Sequence, residues 1–288
     1  MDEMEKEEGE YVPFYNIIVG SSSSEEEEPT YERVFHLREH SCSANNLVRE
    51  IAGEGENDEQ VLELLRQVTS LMDYDQEKYQ EVEPLYRRLL KVEERVLGME
   101  DEGTLDTVVA LASVLQDLGK LKEAEVLFRR ALESREGVLG MEDEDTLTSV
   151  SNLGMLLKDQ GKLKEAETLF RRALESRERV LGMEDEDTLT SVKNLGSLLK
   201  DQGKLEEAET LYRRALEVEE RVLGVDHPDT LTSINDLGSL LEEQGKLEEA
   251  EVLLRRALEV EERVLGVDHS DTLISVNNLG LLLQKQGK

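Results

Sequence analysis

The sequence predicts an all-α protein, a solenoid of stacked antiparallel helix pairs behind an acidic N-terminal tail. Three observations predict it. Gly-Lys recurs at 119–120, 161–162, 203–204, 245–246 and 287–288, a constant step of 42 residues. Leu-Gly recurs in the same step at 97–98, 139–140, 181–182, 223–224 and 265–266. Composition favours helices: charged residues make up 35% and aromatics 4%, with no Trp and 4 Pro in 288 residues. Between the markers the text barely changes, as in LKEAETLFRRALESRERVLG (163–182) and LEEAETLYRRALEVEERVLG (205–224). Self-similarity at a fixed period signifies repeated supersecondary units that bury their apolar faces on one another.

The elements follow in chain order. Residues 1–58 carry 16 acidic and 4 basic residues, a net of −12, including a Ser21–Ser24 run before Glu25–Glu28. Low hydrophobicity with such charge predicts a mostly disordered tail. Helix pairs are expected at about 59–98, 104–140, 146–182, 188–224 and 230–266, with a further helix at 272–286. The first pair has a blurred register, and Val82 and Leu89 stand where later units place alanine. The unit from Asp187 to Gly224 is the clearest. Leu189, Val192, Leu195, Leu198 and Leu199 form one helical stripe by three-to-four spacing. Asp185, Glu186 and Asp187 suit the positive end of that helix. In the next unit Pro228 falls near the same start, where a missing N–H costs nothing. Gly203 closes the first helix. Leu205, Ala208, Leu211, Tyr212, Ala215, Leu216 and Val222 form the apolar face of the second, which ends at Gly224.

Composition also excludes function classes. A net charge of −33 argues against nucleic acid, whose phosphates need clustered Lys and Arg, and against anionic membrane surfaces. No apolar run approaches the ~18 residues of a membrane span. The acidic start at Met1-Asp2-Glu3 does not resemble a secretory signal, and a lone Cys42 suits a reducing compartment, so a cytoplasmic location is expected. Gly-Lys is never followed by the Ser or Thr of a phosphate loop. The Met-Glu-Asp-Glu-Asp turns lack the glycine and distal glutamate of a calcium loop. His227 and His269, recurring at one turn, read as helix-start residues. No cofactor and no catalytic constellation is expected. The remote exception is His36-Leu37-Arg38-Glu39-His40, an H-x-x-E-H string of the kind found in inverted zincin metallopeptidases. It sits in the acidic tail without a surrounding catalytic domain, and it reads as coincidence.

Leu153, Gly154, Leu157, Ala166, Phe170 and Ala173 carry the small/large spacing of the tetratricopeptide (TPR) signature, repeated as Leu195, Gly196, Leu199, Ala208, Tyr212 and Ala215. The chain thus resembles the TPR family. Its period is 42 residues rather than the usual 34, and that longer unit, with Arg-Arg-Ala-Leu-Glu, Val-Leu-Gly-x-Asp-His-Pro-Asp-Thr (222–230) and Asn-Leu-Gly, resembles the kinesin light chain repeats over about residues 79–288. Glu178 and Glu220 replace the family's helix-ending proline, which lengthens the second helix. The resemblance implies a right-handed α-solenoid whose first helices line a concave groove, and a scaffold or adaptor rather than an enzyme. Transferred to this sequence, the groove candidates are Ser151, Asn152, Lys158, Lys193, Asn194, Ser197, Lys200, Asn235, Asn277 and Asn278, together with Thr148, Met155, Thr190 and Ser239. Asparagine can pair with an extended peptide backbone, and Lys158, Lys193 and Lys200 favour a partner protein or peptide of acidic character. The carboxylate clamp of TPR co-chaperones is only partly present, because Met155 and Ser197 stand where asparagine is expected.

Two segments carry further expectations. Tyr11–Val19, an apolar run within the tail, reads as a transient cluster or as an internal ligand of the groove. Phosphorylation at Ser21–Ser24 would make that tail more attractive to the groove lysines. At the other end, helix 272–286 caps the solenoid, joins a second copy in self-association, or belongs to a truncated product.

Overall fold

The computed structural model describes residues 62, 65, 66 and 69 and the stretch 79–287. Leu62, Leu65, Arg66 and Thr69 are helical. Ten helices follow: α1 (Tyr79–Val96), α2 (Glu102–Asp117), α3 (Leu121–Val138), α4 (Glu144–Asp159), α5 (Leu163–Val180), α6 (Glu186–Asp201), α7 (Leu205–Val222), α8 (Pro228–Glu243), α9 (Leu247–Val264) and α10 (Ser270–Gln286). There is no strand among the described residues. Each helix packs on the next in the chain, so the protein is a solenoid of helix pairs. Even-numbered helices are the first, or A, members of each pair and span 16 residues in the inner units. The B helices α3, α5, α7 and α9 span 18, longer as the missing proline implies.

Local chemistry sets each boundary. Asp101, Asp143 and Asp185 are N-caps whose carboxylates accept from backbone N–H groups two or three residues on. At the same place in the last two units, His227 and His269 cap instead, each Nδ1 accepting from the Asp229 or Asp271 N–H at 3.3 and 3.2 Å. The A helix α6 ends at Gly203, whose φ of 73° only glycine adopts without strain, and Lys204 N–H then reaches Leu199 O at 2.8 Å. Gln202 ties this turn to the preceding unit by donating to Leu163 O at 3.1 Å.

The core runs along the stack rather than to one centre. Leu189, Val192, Leu195, Leu198 and Leu199 are buried, as are Ala208, Tyr212, Ala215 and Leu216. Small residues let the paired helices approach. A Cβ built on Gly154 would meet the Phe170 ring at 2.6 Å, on Gly196 the Tyr212 ring at 3.0 Å, and on Gly238 Leu254 at 2.8 Å. Val82 and Leu89 are buried in the first unit despite their size. Val222, expected on the apolar face, is instead 45% exposed as the last residue of α7. No helix among the described residues is long and apolar enough to cross a membrane.

Candidate partner-binding face

The B helices carry a lattice of ion pairs that repeats with the fold. Arg87, Arg171 and Arg213 reach Glu123, Glu207 and Glu249 of the next B helix at 2.6, 3.1 and 2.5 Å. Lys120, Lys162, Lys204 and Lys246 reach back to Glu83, Glu125, Glu167 and Glu209 at 2.5 to 2.8 Å. The carboxyl groups of Glu125 and Glu167 are held down at about 2, first by hydrogen bonds from Lys162 and Lys204. Glu209 also sits at about 2. There burial pushes upward and is outweighed by hydrogen bonds from Lys246, Gln244 and Arg213. This surface neutralises much of its own charge.

Between neighbouring A helices lies a second, buried column. Glu93, Arg135, Arg177, Glu219 and Glu261 occupy one position of each B helix, 42 residues apart, and all are buried. Arg177 donates to Glu144 at 2.6 Å, to Thr148 at 3.1 Å, to Ser151 at 3.3 Å and to Ser191 at 2.9 Å, joining α4 to α6. Arg135 similarly binds Asp106 at 2.5 Å and Ser149 at 2.9 Å. Glu93 accepts from Arg66 at 2.8 Å and Glu219 pairs with Lys193 at 3.1 Å. Glu261 takes an amide instead, Asn235 Nδ2 at 3.2 Å. This column was missed from sequence. The available signal was spacing, since Ala208, Tyr212, Ala215 and Glu219 fall on one helical stripe.

The groove residues expected from sequence sit on the A helices in differing surroundings. Lys158 donates to Ser197 at 2.6 Å and faces Asp201 at 3.1 Å, while Lys200 donates to Ser239 at 2.9 Å and lies 3.8 Å from Glu243. Lys193 is committed to Glu219. Ser151 is buried rather than open, bonded to Leu147 O at 3.1 Å and to Arg177. Asn235 is occupied by Glu261 and Ser275. The amides of Asn152 and Asn194 are half-buried and hydrogen-bond to no other described residue. Asn277 is exposed and Asn278 half-buried on α10. Between these positions Asp236 takes the place that Asn152 and Asn194 hold in their units. Burial pushes its carboxyl up, and Lys193 and Lys200 partly offset that.

Other sequence expectations fall elsewhere. The His36, Glu39, His40 string, Cys42, Ser21–Ser24 and Tyr11–Val19 lie outside the described residues. No cluster of His, Cys, Asp or Glu fit to hold a metal occurs among the described ones. On α10, Leu273, Ile274, Val276 and Leu281 are exposed, whereas Leu279 and Leu282 are buried.

Known structures share this architecture. The nearly identical TPR-like repeats of a Podosopora anserina protein described as a kinesin light chain match with a TM-score of 0.64 at 22% identity, over 71% of this chain and 97% of that one. BtubC (BKLC) from P. vanneervenii matches with a TM-score of 0.63 at 20% identity, over 83% of this chain and 94% of that one. The apo form of RapI matches with a TM-score of 0.59 at 14% identity, over 78% and 84%. At these identities the likeness is one of fold. A search of curated protein sequences finds no match. The family profile described as Tetratricopeptide repeat matches residues 70–137, 103–179, 143–218, 187–263 and 235–288, overlapping windows that take in every described helix from α1 onward. With that profile, the helix pairs and the glycine-to-ring contacts in agreement, the chain belongs to the tetratricopeptide repeat family.

Proposed function

We propose that the protein is a non-catalytic scaffold of the cytoplasm that holds a peptide or partner protein on the A-helix face of its repeats. Repeats of this family generally mediate protein–protein interaction. The observation that carries the reading is the contrast between the two faces. Many B-helix charges are satisfied by neighbours on the same chain, whereas the A face presents the Asn152 and Asn194 amides without a described partner. Each amide offers a donor and an acceptor to an extended backbone.

Lys158 and Lys200 lie on the same helices and make an acidic partner the favoured one. Their present carboxylates, Asp201 and Glu243, are about half exposed and regain water when displaced. Lys193 differs: releasing it would strand Glu219, a carboxylate only 1% exposed. It therefore serves the fold, and an acidic ligand engages the other two lysines.

The test is a peptide array probed with the full chain, with Asn152→Ala/Asn194→Ala and with Lys158→Glu/Lys200→Glu. Acidic peptides held by the wild type and released by both variants support the reading. An identical set held by all three proteins removes the A face as the site. A second reading, self-association through α10, is favoured by the exposed Leu273, Ile274, Val276 and Leu281. Light scattering that finds a monomer at every concentration removes it.

A further inference from the structure

Five units place a charged side chain at one position, and four of the five meet an opposite charge: Glu93 meets Arg66, Arg135 meets Asp106, Arg177 meets Glu144 and Glu219 meets Lys193. Glu261 breaks the series. It is 2% exposed and forms no ion pair among the described residues. The place of Lys193 is taken by Asn235, 42 residues on, whose amide reaches the glutamate at 3.2 Å. Ser275 closes the other side by bonding to Asn235 at 2.9 Å. The second carboxylate oxygen, Oε2, is buried without a partner. Glu93 and Glu219 each have a similar orphan oxygen, but a cation on Oε1 offsets theirs. Burial raises the Glu261 carboxyl from its ordinary value; Asn235, Ser275 and His269 pull it back less, and Asp271 raises it further. A buried carboxylate held by neutral groups alone is disfavoured in its charged form until a cation joins it.

The Lys193–Glu219 pair shows how a cation gets there. Lys193 is 21% exposed while Glu219 is 1% exposed, so the ammonium approaches from the A face and ends 3.1 Å from the buried oxygen. In the next unit the same position carries the shorter, half-buried Asn235, which bonds Glu261 and Ser275 and would have to turn aside for a cation. We propose that this position between α8 and α10 is a receptor for a basic side chain, a lysine or arginine of the bound partner, which supplies the counter-ion that Lys193 supplies one unit earlier. The proposal rests on the A-face reading and deepens it. The partner then carries carboxylates toward α4 and α6, where Lys158 and Lys200 stand, and a basic residue toward α8 and α10. Those two demands fix its direction along the stack.

The experiment uses an array of 12-residue peptides of randomised sequence, probed with the full chain and with Glu261→Gln, Asn235→Lys and Asn152→Ala/Asn194→Ala. Either single change alters a net charge of −33 by one, so diffuse attraction to basic peptides is nearly unaffected. Wild type should enrich lysine or arginine at a fixed spacing from the acidic positions. Both Glu261→Gln and Asn235→Lys should lose that enrichment, with captured basic peptides weakened about tenfold or more. Asn235→Lys fills the site from within and should also raise Tm, which shows that its loss of binding is not misfolding. If both variants keep the basic preference while the asparagine pair still abolishes capture, the receptor assignment is overturned and the A-face reading survives. If wild type captures nothing, both fall.

Discussion

Gly154 faces the ring of Phe170 so closely that a methyl group on it would stand 2.6 Å from Cε1. Gly154→Ala should therefore destabilise by about 1 kcal/mol, the low end of overpacking costs, since the preceding unit already seats Ala112 beside Phe128. Gly154→Leu should cost about 3 kcal/mol or more. Gly137, an exposed helical glycine with nothing near its Cβ, supplies the control: Gly137→Ala should stabilise by about 0.5–1 kcal/mol. Urea unfolding of the variants checks the order, and a Gly154→Ala protein as stable as Gly137→Ala would refute the close contact.

Lys193 and Arg177 are both bonded in the buried column, yet their removal should differ. Lys193→Met leaves Glu219 buried and without its cation, at a cost of about 3–5 kcal/mol. Arg177→Met strands hydroxyls and a Glu144 carboxylate that is 42% exposed and rehydrates, so about 1–3 kcal/mol is expected. Thermal unfolding at neutral pH separates the two; equal losses would mean that Glu219 finds another partner.

The B-helix lattice sets an acid limit. The folded carboxyls of Glu125, Glu167 and Glu209 stand at about 2, below the ordinary value of 4.5. A depressed folded value means that the stabilisation is complete above the ordinary value and is lost as pH falls from about 4.5 toward 2. Asp236 and Glu261, shifted upward, act in the opposite direction. Glu167→Gln should lower stability at pH 7 and flatten its decline through that acid window. An unchanged slope in acid denaturation would show that the pairing with Lys204 and Arg171 contributes nothing net.

Helix starts offer a smaller test. Asp185 accepts from the Asp187 N–H at 3.0 Å and the Thr188 N–H at 3.4 Å. Asp185→Ala should cost about 1 kcal/mol, and Asp185→Asn much less, because the amide oxygen also caps. Equal losses in Tm for the two would assign the effect to charge at the helix end instead.

The all-helical repeat was legible from residues alone because it depends on local physics. Asp185 caps its own helix, Gly203 closes it, and the Leu189-to-Leu199 stripe follows from 3.6 residues per turn. The 42-residue period then requires stacking, since neither helix of a pair can bury its stripe alone. Much of the candidate site depends on contacts between units. Glu219 sits in a run, Val-Glu-Glu-Arg, that reads as a solvated face, and it is buried only because α6, α7 and α8 converge there. Lys158 and Lys193 look alike in sequence. One faces a half-exposed aspartate of the next A helix and the other a buried glutamate of its own unit's B helix. Sequence by itself determined the all-helical repeat, its caps and its glycine turns, where each residue's neighbours are at most a few positions away. Tertiary structure alone decided which charges are buried, paired or free on the A face, because their partners lie 26 to 43 residues off and meet only when the units stack.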